Sequence, residues 1–212
     1  MQRFSLITEA DARRLAPGST VELEPGGHVT PLAHDTLRAL GVKVVPAGTN
    51  EAEAAAAALA PPAEVRVVAL GTDHSGLTLK RSLAAWLRGR ALRVVDCGTD
   101  TPDAVDYPDI ARRVAEAIRS GEAQAGIVID GAGLGSAIAA NKVRGIRAAM
   151  ATTPTLARYA RQHNGANVLA LGATLVSDAD ARLIVDPFLQ TPTTEARYMR
   201  RLAKVKRLED EF

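Results

Sequence analysis

The chain of 212 residues contains one cysteine, Cys97, and its Trp, Tyr and Phe residues amount to only 3%. A single thiol excludes an intrachain disulfide and a cysteine-rich zinc site. So few aromatic rings leave no platform for stacking the bases of a single strand. An excess of one charge is missing too. Lys+Arg number 26 and Asp+Glu 24, and the net charge of +2 gives no case for a nucleic-acid partner. No apolar run approaches the ~20 residues of a membrane span. The N-terminus lacks the basic and apolar segments of a signal peptide. A cytoplasmic protein with no membrane contact is the resulting expectation. The four histidines, His28, His34, His74 and His163, show no ligand spacing, so no metal is expected.

What is present is ordinary globular material: hydrophobic residues make up 47%, enough for one large domain with a small appendage. Residues 1–46 form a compact pattern of their own. Thr8 caps a short helix over Glu9–Leu15, with Asp11 at its third position. Val21–Leu23 alternates like a strand, and Pro25-Gly26-Gly27 turns it. Thr30-Pro31 is a cap followed by proline at the first helical position, and Gly41 ends that helix. Val42–Val45 follows as a strand. Residues 47–64 read as an Ala/Pro-rich linker with a helical middle, Glu51–Leu59.

From residue 65 to 212 the rhythm changes to strand, helix, strand. Candidate strands are Arg66–Gly71, Leu92–Asp96, Ala125–Asp130, Arg147–Met150 and Asn167–Leu171. Candidate helices are Leu77–Arg90, Pro108–Ser120, Leu134–Val143, Pro154–Gln162, Asp178–Phe188 and Thr193–Glu211. The fold class expected is α/β: a Rossmann-like, doubly wound sheet of about five parallel strands with a small α+β N-terminal module. Ligands of such sheets bind at the carboxyl ends of strands.

The most informative stretch lies at such an end: Ile129-Asp130-Gly131-Ala132-Gly133-Leu134-Gly135-Ser136, followed by Ala139-Ala140-Asn141-Lys142. Glycine permits a tight turn and close approach of backbone to ligand. Free N–H groups at a helix start attract anions. The loop therefore suits a negatively charged or oxyanion-forming small molecule, with Asp130 placed over it. A tight turn capped by Asp130 is the competing reading.

Several further pieces keep the same order and spacing as a known family. They are Gly71-Thr72-Asp73-His74-Ser75-Gly76 with Lys80, Val95-Asp96-Cys97-Gly98-Thr99, Asp106-Tyr107-Pro108, Gly145-Ile146-Arg147-Ala148, Arg161-Gln162-His163-Asn164, Asn167-Val168-Leu169, and Arg197 with Arg201. From Val67 to Arg201 the chain resembles the family of ribose-5-phosphate isomerase B and the galactose-6-phosphate isomerase subunits. The resemblance implies a homodimer or homotetramer with active sites shared between subunits and no cofactor. It implies aldose–ketose interconversion of ribose 5-phosphate and ribulose 5-phosphate through an enediolate. A hexose 6-phosphate isomerase subunit and a non-catalytic sugar-phosphate-binding or scaffold paralogue are the alternatives.

Each residue type suits a step. His163 moves protons for ring opening, since imidazole titrates near neutrality. Asp130 takes the proton from the carbon beside the carbonyl. Backbone N–H groups of Gly131, Gly133 and Gly135 face the enediolate oxygen. Arg197 and Arg201, four apart on one helix face, hold the phosphate with His74. Asp73 and Asn164 hold sugar hydroxyls, and Tyr107 lines the pocket. Three departures stand out. The family's common cysteine falls at Asp130, and a glutamate base of another branch falls at Ser136. Ala132 replaces a frequent hydroxyl residue, and Thr174 replaces a phosphate-binding arginine. An aspartate at position 130 also resembles the A subunit of galactose-6-phosphate isomerase.

The resemblance implies a chain beginning near Val65, so residues 1–46 need their own explanation. Their Pro25–Asp35 pattern, with Leu37, Leu40, Gly41 and Val42, resembles segments on enzymes of bacterial microcompartments. That likeness implies a docking or packaging module for a shell or cargo partner, with a helix presenting Leu32, Leu37 and Leu40. The competing reading packs those leucines against the module's own strands.

Overall fold

A computed structural model describes residues 2–47 and 59–211. The chain divides into two compact units, Met1–Ala58 and Leu59–Phe212. The expected helix over Glu51–Leu59 falls, but for its last residue, outside the described residues.

The smaller unit runs β1 (Gln2–Ile7), α1 (Glu9–Ala12), β2 (Thr20–Val29), α2 (Pro31–Ala39) and β3 (Lys43–Pro46). The three strands form one parallel sheet in the order β1-β2-β3. Thr8 closes a capping box on α1: its hydroxyl accepts from Asp11 N, and Asp11 accepts from Thr8 N at 3.0 Å. Strand β1 was not legible, because only Phe4 and Ile7 of its six residues turn inward. Strand β2 continues through Pro25-Gly26-Gly27 rather than ending there, with a register shift against β1 between Phe4 and Leu6. The expected docking face of α2 is corrected by its packing. Leu37 is buried and Leu40 packs partly into the unit's core with Ile7, Leu15, Val21 and Val42, leaving only Leu32 outward. A unit this small has little apolar mass to build a core, so Leu37 and Leu40 are drawn into it.

The larger unit runs β4 (Val67–Thr72), α3 (Leu77–Gly89), β5 (Arg93–Asp96), α4 (Tyr107–Arg119), β6 (Ala125–Asp130), α5 (Leu134–Ala140), β7 (Ala148–Met150), α6 (Pro154–Asn164), β8 (Val168–Gly172), α7 (Asp178–Gln190) and α8 (Ala196–Glu211). Its five strands are all parallel, in the order β5-β4-β6-β8-β7. The expected five strands and six helices are all present, with no end shifted by more than three residues. Successive residues of β6 point to opposite faces. Ile127 and Ile129 join Leu70, Leu83, Leu169 and Phe188 on one side. Val128 joins Ile110, Val114 and Ala170 on the other. Both faces are therefore covered, as the unbroken apolar runs require.

The connection from β4 goes outward to β5, and the next one returns past β4 to β6. The direction of winding reverses between β4 and β6, and a crevice opens at their carboxyl ends. One wall of that end is tied down by a buried lysine. Lys80 Nζ donates to both oxygens of Asp96 at 2.9 Å and to Asp100 Oδ1 at 2.8 Å. Burial alone pushes the Lys80 ammonium down, but the bonds to Asp100 and Asp96 outweigh it and leave it above its ordinary value. Lys80 in turn holds the Asp100 carboxyl below its ordinary range.

The lowered Asp100 carboxyl contributes stability that is present above the ordinary carboxyl range and fades as pH falls through the folded value. The raised Lys80 contributes stability that is present below its ordinary value and fades at high pH. Lys80→Met is expected to cost about 1–3 kcal/mol near neutrality. The gap to wild type should narrow towards both extremes, as measured by urea unfolding at about pH 3, 7 and 11.

Candidate active site

Strand β6 ends on Asp130, whose side chain is 5% exposed and turns back over the loop that follows. Its Oδ1 accepts from Ala132 N at 2.8 Å and from Gly133 N, and its Oδ2 accepts from Ser136 N at 2.8 Å. Among the described residues, the N–H groups of Gly131, Leu134 and Gly135 meet no acceptor. The glycine loop is thus shared: three of its N–H groups hold Asp130 and three are left without an acceptor. Gly133 sits at φ 76°, and a Cβ there would lie 2.9 Å from Leu171 C, so both conformation and space require glycine. A Cβ on Gly135 would lie 2.6 Å from the Tyr107 ring. The loop therefore packs backbone to backbone on β8 and flat against Tyr107. Thr174 adds a tie, donating from Oγ1 at 2.7 Å and from N at 3.1 Å to Gly131 O.

The adjacent strand β4 ends on Thr72, and Asp73 starts a short 3-10 turn, His74–Gly76. Asp73 Oδ1 accepts from Ser75 N at 2.9 Å and from Ser75 Oγ at 2.5 Å. The Ser75 hydroxyl lies 4.0 Å from a Cβ built on Gly131, so the two turns line one crevice. His74 Nδ1 accepts from Val105 N at 3.4 Å, which leaves Nε2 to carry the proton and donate. Asp73, His74, Tyr107 and Asp130 with its glycines thus converge at the reversal of winding between β4 and β6.

The remaining predicted site residues form a second group. The His163 ring, at the end of α6, stacks between Tyr159 and Tyr198, with centroids at 4.5 and 4.3 Å. Arg197 donates to the Tyr198 hydroxyl at 2.7 Å and pairs with Glu195 at 2.8 Å. The guanidiniums of Arg197 and Arg201 lie 4.6 and 5.9 Å from the Tyr198 ring centroid. His163, Asn164 and Arg201 line a cavity of about 530 Å³ together with Arg147, Leu202 and Lys206. Among the described residues, no hydrogen bond, ion pair or ring contact joins this group to Asp73, His74, Tyr107 or Asp130. Within one chain the predicted site residues therefore form two separate groups.

Ser75, Tyr159 and Tyr198 are the participants that sequence reading missed. Ser75 stood inside a quoted motif with no role assigned, while the tyrosines reach His163 from helices far apart in sequence. Cys97 packs partly buried against the cluster that holds Ile110 and Val114, and burial pushes its thiol up to about 11. No group of three or more potential metal ligands occurs among the described residues. No helix among them is long and apolar enough to cross a membrane.

Comparison with known proteins gives this geometry a family. The chain matches the Ribose/Galactose Isomerase family over residues 68–205. Ribose-5-phosphate isomerase B of Escherichia coli is 40% identical over 145 residues, which is 68% of this chain and 97% of that protein. A probable ribose-5-phosphate isomerase B of Mycoplasma genitalium is 41% identical over 144 residues, covering 67% of this chain and 95% of its own length. Among solved structures, ribose-5-phosphate isomerase B of Clostridium thermocellum aligns with a TM-score of 0.67 at 46% identity, over 68% of this chain and 98% of that one. The Mycoplasma genitalium enzyme with bound ribulose-5-phosphate aligns with a TM-score of 0.66 at 40% identity, over 69% and 97%. Motif order, sheet topology and the crevice at the winding reversal agree with one conclusion: the chain belongs to the ribose/galactose isomerase family.

Proposed function

We propose that the protein interconverts ribose 5-phosphate and ribulose 5-phosphate, with each complete site assembled from two copies of the chain. The separation of two half-sites within one chain carries this reading. One half holds the carboxylate and the oxyanion donors, and the other holds the imidazole and the arginines. Exposed apolar residues surround the first half: Leu134 at 59%, Ile138 at 64% and Tyr107 at 40%. Such a rim favours burial against a second copy as a homodimer or within a homotetramer.

Across that junction the chemistry runs in order. His163 shuttles the proton that opens the sugar ring. Asp130 Oδ2 keeps a lone pair beyond its one bond and takes the proton from C2 of the open aldose. The protonated Asp130, in exchange with solvent, gives a proton to C1 while the O2 hydroxyl proton passes to O1, and the ketose results. Charge on the enediolate oxygen is met by the N–H groups of Gly131, Leu134 and Gly135, which are already oriented when it develops. Arg197, Arg201 and the Nε2–H of His74 hold the phosphate, and Asp73 and Asn164 hold hydroxyls. Tyr107 closes the wall.

A hexose 6-phosphate of the galactose 6-phosphate type is the second reading. Asp130 favours it, because a carboxylate stands where the family commonly has a thiol. The N-terminal unit closes a core of its own, which suits a module that docks the enzyme to a microcompartment shell or a cargo partner.

Purified protein should convert ribose 5-phosphate to ribulose 5-phosphate, and Asp130→Asn should lower kcat by a factor of about 100 or more. Wild-type turnover of galactose 6-phosphate alone selects the second reading. No turnover of either, with no deuterium exchange at C2, leaves a binding or scaffold protein. Mixing inactive Asp130→Asn with inactive His163→Asn after reversible dissociation should restore about a quarter of wild-type activity, since half of the dimers then carry one intact site of two. Absence of recovery assigns each site to a single chain. Removing residues 1–58 should leave turnover intact and abolish co-purification with a shell or cargo partner.

A further inference from the structure

Two arginines, Arg161 buried and Arg147 half-buried, have no part in the chemistry above, and both sit beside the turn that follows His163 and Asn164 at the end of α6. Arg161 is 1% exposed, and burial pushes its guanidinium down to about 10. Arg147 is lowered by burial as well. A buried cation normally meets a carboxylate, yet both guanidiniums make their hydrogen bonds to backbone carbonyls. Each one bridges. Arg147 donates from Nε to Gly165 O at 2.8 Å and from Nη2 to Leu59 O at 2.7 Å. Arg161 donates from Nη1 to Ala166 O at 2.9 Å and from Nη2 to Pro62 O at 3.1 Å. One end of each fork grips the two residues that follow Asn164. The other grips residues 59–62, where Pro61 is buried and Leu59 lines the same cavity as His163 and Asn164. Those residues lie ahead of the family match, which begins at residue 68.

We propose that residues 59–62 are a strap that completes the active-site wall, and that Arg147 and Arg161 are positioning residues coupling it to His163 and Asn164. The proposal rests on the isomerase reading only for its catalytic readout. Without the strap, each guanidinium keeps its charge and loses a buried acceptor. It must then draw water or swing away from the loop. Asn167 shares the load, accepting from Arg147 N at 2.8 Å and donating to Gly145 O at 2.8 Å, so a shift of Arg147 reaches the loop from both sides. The arginines of α8 are held by Tyr198 and Glu195 instead. Phosphate binding should therefore be spared while ring opening and hydroxyl binding suffer.

The test compares the full chain with chains beginning at Leu59 and at Val65. Whole relatives are little longer than the second of these, since the match covers 97% of the E. coli enzyme. The chain from Leu59 should match the full chain within about twofold in kcat and KM. The chain from Val65 should lose kcat by about tenfold and raise KM for ribose 5-phosphate about fivefold, with competitive inhibition by inorganic phosphate unchanged. A fraction of unfolded enzyme would lower kcat alone, and that pattern overturns the proposal. In the full chain, Arg147→Lys should reproduce the loss, because one ammonium cannot bridge both carbonyls. In the chain from Val65 the same change should add less than about twofold. Hydrogen exchange at the amides of Gly165, Ala166 and Asn167 reads the coupling without turnover, and so survives failure of the isomerase reading. Exchange should quicken only in the chain from Val65. Unchanged exchange together with unchanged kinetics would sink the strap.

Discussion

Three backbone N–H groups converge on one carboxylate at the carboxyl end of β6, and the shape of the crevice depends on that convergence. The bonds from Ala132, Gly133 and Ser136 to Asp130 force the chain to reverse within a few residues. That reversal needs a left-handed residue at Gly133 and brings the loop backbone against Gly172. It also leaves the N–H groups of Gly131, Leu134 and Gly135 without an acceptor among the described residues. A residue at position 130 without acceptor oxygens would strand buried donors at about 1–3 kcal/mol each. Capping and the proposed role as base are therefore compatible for Asp130, since the same three bonds that cap the loop also fix the carboxylate in place.

The sheet explains why the site is split. Reversal of winding puts the ends of β4 and β6 side by side, so Asp73 and Asp130 meet without long loops. His163 lies in the last turn of α6, the helix between the edge strand β7 and β8, and Arg197 and Arg201 ride on a terminal helix. Within one chain these groups gather around Tyr198 rather than around Asp130. The three tyrosines of an aromatic-poor chain all stand at these places: Tyr107 on the glycine loop, Tyr159 and Tyr198 on the two faces of His163. Scarcity of rings elsewhere makes that distribution informative.

Much of the larger unit was legible because its determinants are local. Continuous apolar runs marked the buried parallel strands, and the helices expected from Pro108 and Pro154 begin within one residue of those points. The division of donors within the glycine loop was not legible, since either role for Asp130 fits the same eight letters. The His163 stack was hidden because it depends on α6 and α8 meeting in space. The bridges to Leu59 and Pro62 were hidden more deeply. A backbone carbonyl has no side-chain signature, so no pattern of letters shows which one an arginine will find. In the small unit, β1 carries too few inward residues to alternate clearly, and Leu37 turned inward because a three-stranded sheet has no other apolar mass to spend.

Position 130 carries a carboxylate where the family resemblance implies a thiol, and that difference bears on more than the proposed proton transfer. Thiolates are the groups that peroxides, aldehydes and alkylating agents attack first. The crevice holds none, and Cys97, half-buried with its proton held to about 11, is a poor target at neutral pH. A catalyst built this way keeps working where electrophiles accumulate, in surroundings that would poison a relative relying on sulfur.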